Sequence, residues 1–275
     1  MGEVVGVAPQ EPVLRLADAA LAFGDHELWS GLDLDVMPGE FITVLGANGS
    51  GKSSLLKTIL GLQPLTAGEI TVMGRRVTRG DRHIGYVPQQ RLFPAGTPMR
   101  GRDLVGFGVD GHRLGLRLVG RRAVRERVDA AIDAVQAGDF ADRPIGQLSG
   151  GEQQRLRVAQ ALVSEPSILL CDEPLISLDL NHQGEVSRLI DRRRRSHGTA
   201  VLFVTHDINP VLSFTDRVLY LAAGSYCVGA PDQVLRSTVL SRLYQTRVEV
   251  TRVGGRIVVL GAPDHHEPHH VEVLA

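Results

Sequence analysis

The sequence predicts an α/β fold in which buried strands alternate with helices. Two observations carry that prediction. Phe41 to Leu45, Ser167 to Cys171 and Ala200 to Val204 are short aliphatic runs without polar alternation, the pattern of strands covered on both faces. Between the first and second of them, Val124, Val128, Ala131, Ile132 and Val135 recur at helical spacing, with arginines and acids on the opposite face. The chain of 275 residues has room for one large domain or two small ones, and needs neither disulfides nor a structural metal to fold.

Composition narrows the function. Hydrophobic residues at 43% and charged residues at 22% exclude a disordered or fibrous chain. Thirty basic against 31 acidic residues leave a net charge of −1, so no nucleic-acid partner is expected. Cys171 and Cys227 are the only cysteines, which suits a reducing compartment better than a disulfide framework. No apolar run reaches the length of a membrane span. Residues 1–12 are read as an N-terminal extension, acidic and Pro-containing, and not as a signal peptide.

In chain order, strand 41–45 leads into the glycine-rich turn Gly46-Ala47-Asn48-Gly49-Ser50-Gly51-Lys52-Ser53, followed by Ser54 and a helix expected over Ser53 to Leu62. This strand–loop–helix context fits a phosphate cradle. Glycines let backbone N–H groups point inward, and the helix start adds a positive dipole end. Lys52 then reaches the outer phosphates and Ser53 holds Mg2+. A second strand, Ser167 to Cys171, ends in Asp172 and Glu173. Open α/β sheets hold ligands at such carboxyl ends, so Asp172 is a candidate Mg2+ holder and Glu173 a candidate proton acceptor from attacking water. Leu148-Ser149-Gly150-Gly151-Glu152 opens a helix expected to run to about Val163. Ser149 and Glu152 have the spacing of a capping box, and the two glycines clear the helix start for an anion. Either the chain binds two phosphate groups, or the second helix start serves the nucleotide of another chain.

The phosphate loop, Leu-Ser-Gly-Gly-Glu, Cys171-Asp172-Glu173-Pro174 and Val204-Thr205-His206-Asp207, in this order, resemble the ATP-binding subunit of an ATP-binding-cassette (ABC) transporter over about Val13 to Tyr244. The resemblance implies a P-loop NTPase core of ABC ATPase type, with an antiparallel β portion near the N-terminus and an inserted helical subdomain at about 91–165. It also implies an ATPase domain over 13–236 and ATP and Mg2+ as ligands. The implied assembly is a head-to-tail homodimer on ATP binding, with each ATP between one chain's phosphate loop and the other's Ser149 to Glu152. Separate integral-membrane permease subunits would hold the chain at the cytoplasmic face of the membrane, with an extracytoplasmic solute-binding protein in the same system. Residue by residue, Phe23 stands where the family stacks an aromatic ring on adenine, or is an ordinary strand-end aromatic. Gln89, in Ile84-Gly85-Tyr86-Val87-Pro88-Gln89, matches the glutamine that touches Mg2+ and the water, with Gln90 its neighbour. Asp179, after Ser177-Leu178, matches the loop that communicates across the dimer, although Leu175-Ile176 replace the usual small polar pair. His206 matches the histidine that contacts the γ-phosphate.

Arg143-Pro144-Ile145 and Leu240-Ser241-Arg242-Leu243-Tyr244, the latter followed by a Val-rich strand, resemble subunits of manganese and zinc importers, with Gln245 in place of the usual glycine. The rivals are an importer for another solute such as an iron chelate, an exporter, and a soluble non-transport ABC ATPase. No heptad tract supports a DNA-repair member. The Arg192 to Arg195 run at a helix end is read as a solvated face. A small C-terminal extension over 237–263 carries strands Arg247 to Thr251 and Arg256 to Leu260 around Gly254-Gly255. Residues 264–275 form a tail whose His265, His266, His269 and His270 are either a metal-binding tract or adventitious ligands.

Overall fold

A computed structural model describes residues 11–89, 92–110, 120–176, 178–222 and 224–261. The first ten residues, Gln90, Ser177 and the histidines of the C-terminal tail lie outside the described residues.

Strands β1 (Leu14–Phe23) and β2 (His26–Val36) pair antiparallel. In β2, Leu32, Leu34 and Val36 alternate inward, as a half-exposed strand requires. β4 (Ala67–Val72) and β5 (Arg75–Arg76) complete a four-stranded sheet in the order β2-β1-β4-β5. The central sheet contains β3 (Phe41–Gly46), β6 (Ile84–Val87), β7 (Ile168–Asp172), β8 (Ala200–Val204), β9 (Arg217–Ala222) and β10 (Ser225–Gly229). Its order is β10-β9-β3-β8-β7-β6, with all neighbours parallel except β9 and β10. Every residue of β7 and β8 is buried, which is why those stretches read as unbroken apolar runs.

Helix α1 (Lys52–Ile59) ends three residues before its expected end at Leu62. Gly61, at φ +66°, reverses the chain: its N–H donates to Thr58 O and that of Leu62 to Lys57 O, a pairing that closes the helix. Strand β7 starts and ends one residue later than expected, because both Ser167 and Ile168 N–H donate to His83 O and pairing runs on to Asp172 beside Val204.

Among the described residues, a layer of three helices, α2 (Gly101–Asp110), α3 (Arg121–Ala134) and α4 (Gly150–Leu162), intervenes between β6 and β7. Val128, Ala131, Ile132 and Val135 are buried there with Leu104, Val105 and Leu156. Helix α5 (Leu180–His197) precedes β8; in its arginine run Arg192 and Arg195 are exposed as expected, whereas Arg194 departs from the solvated face. Arg194 and Arg195 both pair with Asp191 (3.0 and 2.9 Å), and Arg194 also bonds Gly39 O and Asp216 Oδ2. The buried Asp191 carboxylate recruits those cations as structural partners.

Past β10 come α6 (Pro231–Val234), α7 (Ser237–Tyr244), and the hairpin β11 (Glu249–Val253) and β12 (Arg256–Leu260). Strand β11 sits two residues later than expected. Gly254 and Gly255, at φ +57° and +80°, form a two-residue turn, so pairing runs right up to Val253 opposite Arg256. Among the described residues no helix is long and apolar enough to cross a membrane.

Two glycines of α2 separate packing from helix propensity. A Cβ at Gly106 meets nothing within 4 Å, so Gly106→Ala should stabilise by about 0.5–1 kcal/mol through lower unfolded-state entropy. At Gly108 a Cβ would lie 2.1 Å from Gln160 O of α4, so Gly108→Ala should destabilise by about 1–3 kcal/mol despite the same propensity gain. Urea unfolding of the two variants checks the opposite signs.

Candidate nucleotide site

Four adjacent parallel strands, β3, β8, β7 and β6, deliver their carboxyl ends to one edge of the sheet. β3 runs into the glycine-rich loop at Gly46, β8 is followed by Thr205 and His206, β7 ends at Asp172 with Glu173 after it, and β6 leads through Pro88 to Gln89. A cavity of about 860 Å³ lies over this edge. It is lined by Gly46, Ala47, Asn48, Gly49, Gly51, Lys52, Ser53 and Ser54, and by Phe23, Gln89, Glu173 and His206.

The loop's glycines are required by close approach. A Cβ at Gly46, φ +147°, would sit 2.2 Å from Leu221 O, and one at Gly51, φ +92°, would sit 2.9 Å from the indole nitrogen of Trp29. Trp29 is fully buried and braces the loop from below. Lys52 is buried, and its ammonium donates to Gly46 O at 2.7 Å and Ala47 O at 2.8 Å, which places the charge inside the loop. Burial pushes the Lys52 pKa down, partly countered by the nearby carboxylates of Glu173 and Asp172.

Asp172 is also buried, and desolvation pushes its pKa up against the opposing hydrogen bonds of Ser53 and Tyr86. Ser53 Oγ donates to Asp172 Oδ1 at 3.2 Å, and Tyr86 Oη donates to Oδ2 at 3.4 Å. The Tyr86 hydroxyl is itself pushed up to about 12, chiefly by burial and then by the Asp172 charge. Gln89 Nε2 donates to Glu173 Oε2 at 2.9 Å. Glu173 adopts φ +46°, unusual for a residue with a Cβ, and its N–H is anchored to Val204 O at 3.0 Å. The site thus contains a buried cation, a buried carboxylate with a hydroxyl beside it, and a second carboxylate oriented by an amide.

Ser149, Gly150, Gly151 and Glu152 do not line this cavity. Ser149 caps α4: its Oγ accepts from Glu152 N at 3.3 Å, and Glu152 Oε2 accepts from Ser149 N at 2.7 Å. Asp179 likewise caps α5, accepting from the N–H groups of Asn181 and His182 and meeting His182 Nδ1 at 2.6 Å. These bonds, the His182 backbone first, hold its carboxyl below the usual range. The His182 ring covers Gly151, where a Cβ would lie 2.3 Å from its Cδ2. The starts of α4 and α5 therefore form a second cluster through His182.

Sequence reasoning missed Leu28 and Ile176, which also line the cavity, as well as Tyr86 on Asp172 and Trp29 under Gly51. Trp29 is the chain's single tryptophan, a signal that could have singled it out.

The family model described as ABC transporter matches residues 29–176. The zinc import ATP-binding protein ZnuC of Paramagnetospirillum magneticum is 37% identical over 236 residues, covering 86% of this chain and 84% of that relative. The protein of the same name from Pseudomonas entomophila is 32% identical over 269 residues, 96% of this chain and 94% of its own. A solved dimeric ATP-binding cassette in a post-hydrolysis state, bound to ADP and Pi, has a TM-score of 0.65 at 28% identity, over 79% of this chain and 98% of that one. A family match over more than half of the chain, and relatives this similar over most of it, establish that the chain belongs to the ABC transporter family as an ATP-hydrolysing subunit.

Proposed function

We propose that this chain hydrolyses ATP to drive import of a divalent transition metal, zinc before manganese, through a separate permease. The observation that carries the hydrolytic reading is the convergence of Lys52, Ser53, Glu173, Gln89 and His206 on one cavity, with the buried Asp172 carboxylate behind it on Ser53. The cargo reading rests on relatives named zinc import ATP-binding proteins and on their coverage of nearly the whole chain.

In this reading Phe23, half exposed at the cavity mouth, stacks on adenine. The N–H groups of Gly46 to Ser54 and the start of α1 cradle the phosphates, and Lys52 neutralises the outer two. The oxygen donors of Ser53, Asp172 and Gln89 suit Mg2+, and Ser53 and Asp172 already meet at 3.2 Å. When bound, the ion withdraws charge from the phosphate oxygens. Glu173, held by Gln89, takes a proton from water as the water oxygen bonds to the γ-phosphorus. The bond from that phosphorus to the bridging oxygen breaks, and ADP and phosphate leave. His206 donates to the γ-phosphate oxygens.

The second cluster serves the nucleotide of another copy. Ser149 to Glu152 present a helix start away from their own chain's cavity, and Asp179 lies beside the exposed apolar side chains Ile176 and Leu180. A homodimer covers that surface and completes each site in trans. A groove of about 700 Å³ between β6 and α2, lined by Tyr86, Pro88, Phe93, Met99, Leu104 and the exposed Phe107, suits a permease segment. It communicates with the site through Tyr86 on Asp172 and through Pro88 beside Gln89. This arrangement holds the chain at the cytoplasmic face of the membrane, with a solute-binding protein delivering metal from outside.

Glu173→Gln keeps the shape but cannot accept a proton. Turnover should fall about 10²- to 10⁴-fold while ATP binding persists and ATP-dependent dimers accumulate on size exclusion. Near-normal turnover would remove Glu173 as the base.

Mixing Ser149→Arg chains with Lys52→Ala chains leaves each heterodimer one site with both lesions and one intact site. Partial recovery of hydrolysis is expected in purified heterodimers. No recovery of hydrolysis in verified heterodimers would argue against completion in trans.

Cells lacking the gene should take up less radioactive zinc under zinc starvation. Phe107→Asp should reproduce that loss and abolish copurification with the permease, while the isolated subunit keeps its hydrolysis. Normal uptake of zinc and manganese with a defect for another solute would overturn the cargo reading alone.

A further inference from the structure

The loop after His206 is tied to the C-terminal hairpin by polar bonds. Asn209 Nδ2 donates to Ile257 O at 3.0 Å, and Ile257 N–H donates to Asn209 Oδ1 at 2.8 Å. One side chain thus supplies both halves of a strand rung to the edge of β12. Beside it, Arg256 pairs with Asp207 Oδ2 at 3.2 Å. Asp207 Oδ1 accepts from both the backbone and side-chain nitrogens of Asn209, at 2.9 and 2.6 Å, and Thr205 Oγ bonds both backbone groups of Asp207. The chain from Thr205 to Asn209 is therefore one connected hydrogen-bonded unit with Asn209 at its anchored end.

The hairpin is itself fixed to the core. Ser241 Oγ donates to Val248 O and accepts from Val248 N–H, both at 2.9 Å, and Ser237 Oγ accepts from Val250 N–H at 2.9 Å. Tyr244 packs edge-on against Tyr220 at 5.9 Å, and Tyr220 pairs with Leu45 of β3, one residue before the phosphate loop. A cavity of about 730 Å³ separates the His206 loop from much of the hairpin, lined by Gly46, His206, Tyr220, Ile257 and Leu260. Ile208 and Val211 anchor the loop in the apolar core with Ile257, while the polar bonds of Asn209 and Asp207 fix its register against the hairpin beside the cavity.

We propose that Asn209 is a positioning residue, through which the C-terminal hairpin holds His206 at the nucleotide cavity. The inference rests on the reading of His206 as a γ-phosphate contact. Breaking the clamp leaves nucleotide binding to the phosphate loop intact and removes a contact that matters as charge develops on the transferring group.

The test uses the full-length chain and four proteins: wild type, Asn209→Ala, His206→Ala and Thr199→Ala. Thr199 bonds Pro166 O at the opposite end of the sheet and is the control for lost stability. Asn209→Ala should lower kcat about tenfold with KM for ATP within about twofold, as expected for the loss of a reciprocal pair of hydrogen bonds. Amide hydrogen exchange across 205–211 should accelerate without nucleotide. Thr199→Ala should lower Tm while leaving kcat within about twofold. If His206→Ala is inactive but Asn209→Ala keeps wild-type kcat, or loses it without faster exchange, the clamp is overturned and His206 stands. If His206→Ala keeps full turnover, the His206 reading fails and the clamp's catalytic role falls with it.

Discussion

The parallel ladder of β3, β8, β7 and β6 is the constraint on which the site depends. Val44 pairs with Val204, Val204 with Asp172, and Val87 with Cys171, so the last residues of four strands lie on nearly one line. The groups immediately beyond that line are Gly46, His206, Glu173 and Gln89, separated in sequence yet fixed relative to one another by backbone hydrogen bonds. A shift of one residue in any strand would turn its terminal side chain to the opposite face of the sheet. The burial of β7 and β8 on both faces makes such a shift costly, since it would exchange close-packed neighbours along the strand.

Within that frame the site is built from groups destabilised by burial. Lys52 and Asp172 are each shifted toward their neutral forms by desolvation, and each lies close enough to the other for attraction to offset part of the cost. Hydrogen bonds from Ser53 and Tyr86 compensate more of it. A phosphate group and a divalent cation would bring the missing counter-charges, and a site so desolvated gains more from ligands of that charge than a solvated one does. Glu173 is oriented differently, by the Gln89 amide and a left-handed backbone, on a residue that remains partly accessible to water.

Much of the sheet and the phosphate loop was legible in sequence because both rest on local rules. Continuous apolar runs announced β3, β7 and β8; glycines at fixed spacing announced the loop; Ser149 and Glu152 announced the α4 cap. Boundaries were less legible. Leu62 is helical by composition, yet Gly61 closes α1 before it, and β11 begins only where the Gly254-Gly255 turn allows. What could not be read was set by distant partners. Arg194 looked like part of a solvated helix end because Asp216 and Gly39 O, which hold it beside its helical neighbour Asp191, approach it only in the fold. Tyr86 looked like an ordinary strand residue until Asp172 was placed opposite it. Trp29 and Asn209 belong to the same class, since their roles depend on Gly51 and Ile257.

The different surroundings of the α1 and α4 helix starts follow from topology. α1 begins at the carboxyl edge of β3, so its dipole end faces the cavity that its own chain builds. α4 belongs to the helical layer inserted between β6 and β7, and its start is turned instead toward His182 and the cap of α5. A Cβ at Gly151 cannot coexist with the His182 ring in its present place, which couples the presentation of the α4 start to Asp179, the partner of that ring at 2.6 Å. Asp179 sits next to exposed Leu180, on the surface where a second copy would meet the chain. Contact there would act on the α4 start through a single imidazole. Local geometry thus supplies a short physical route by which contact at the α5 start and the setting of the α4 start can be linked.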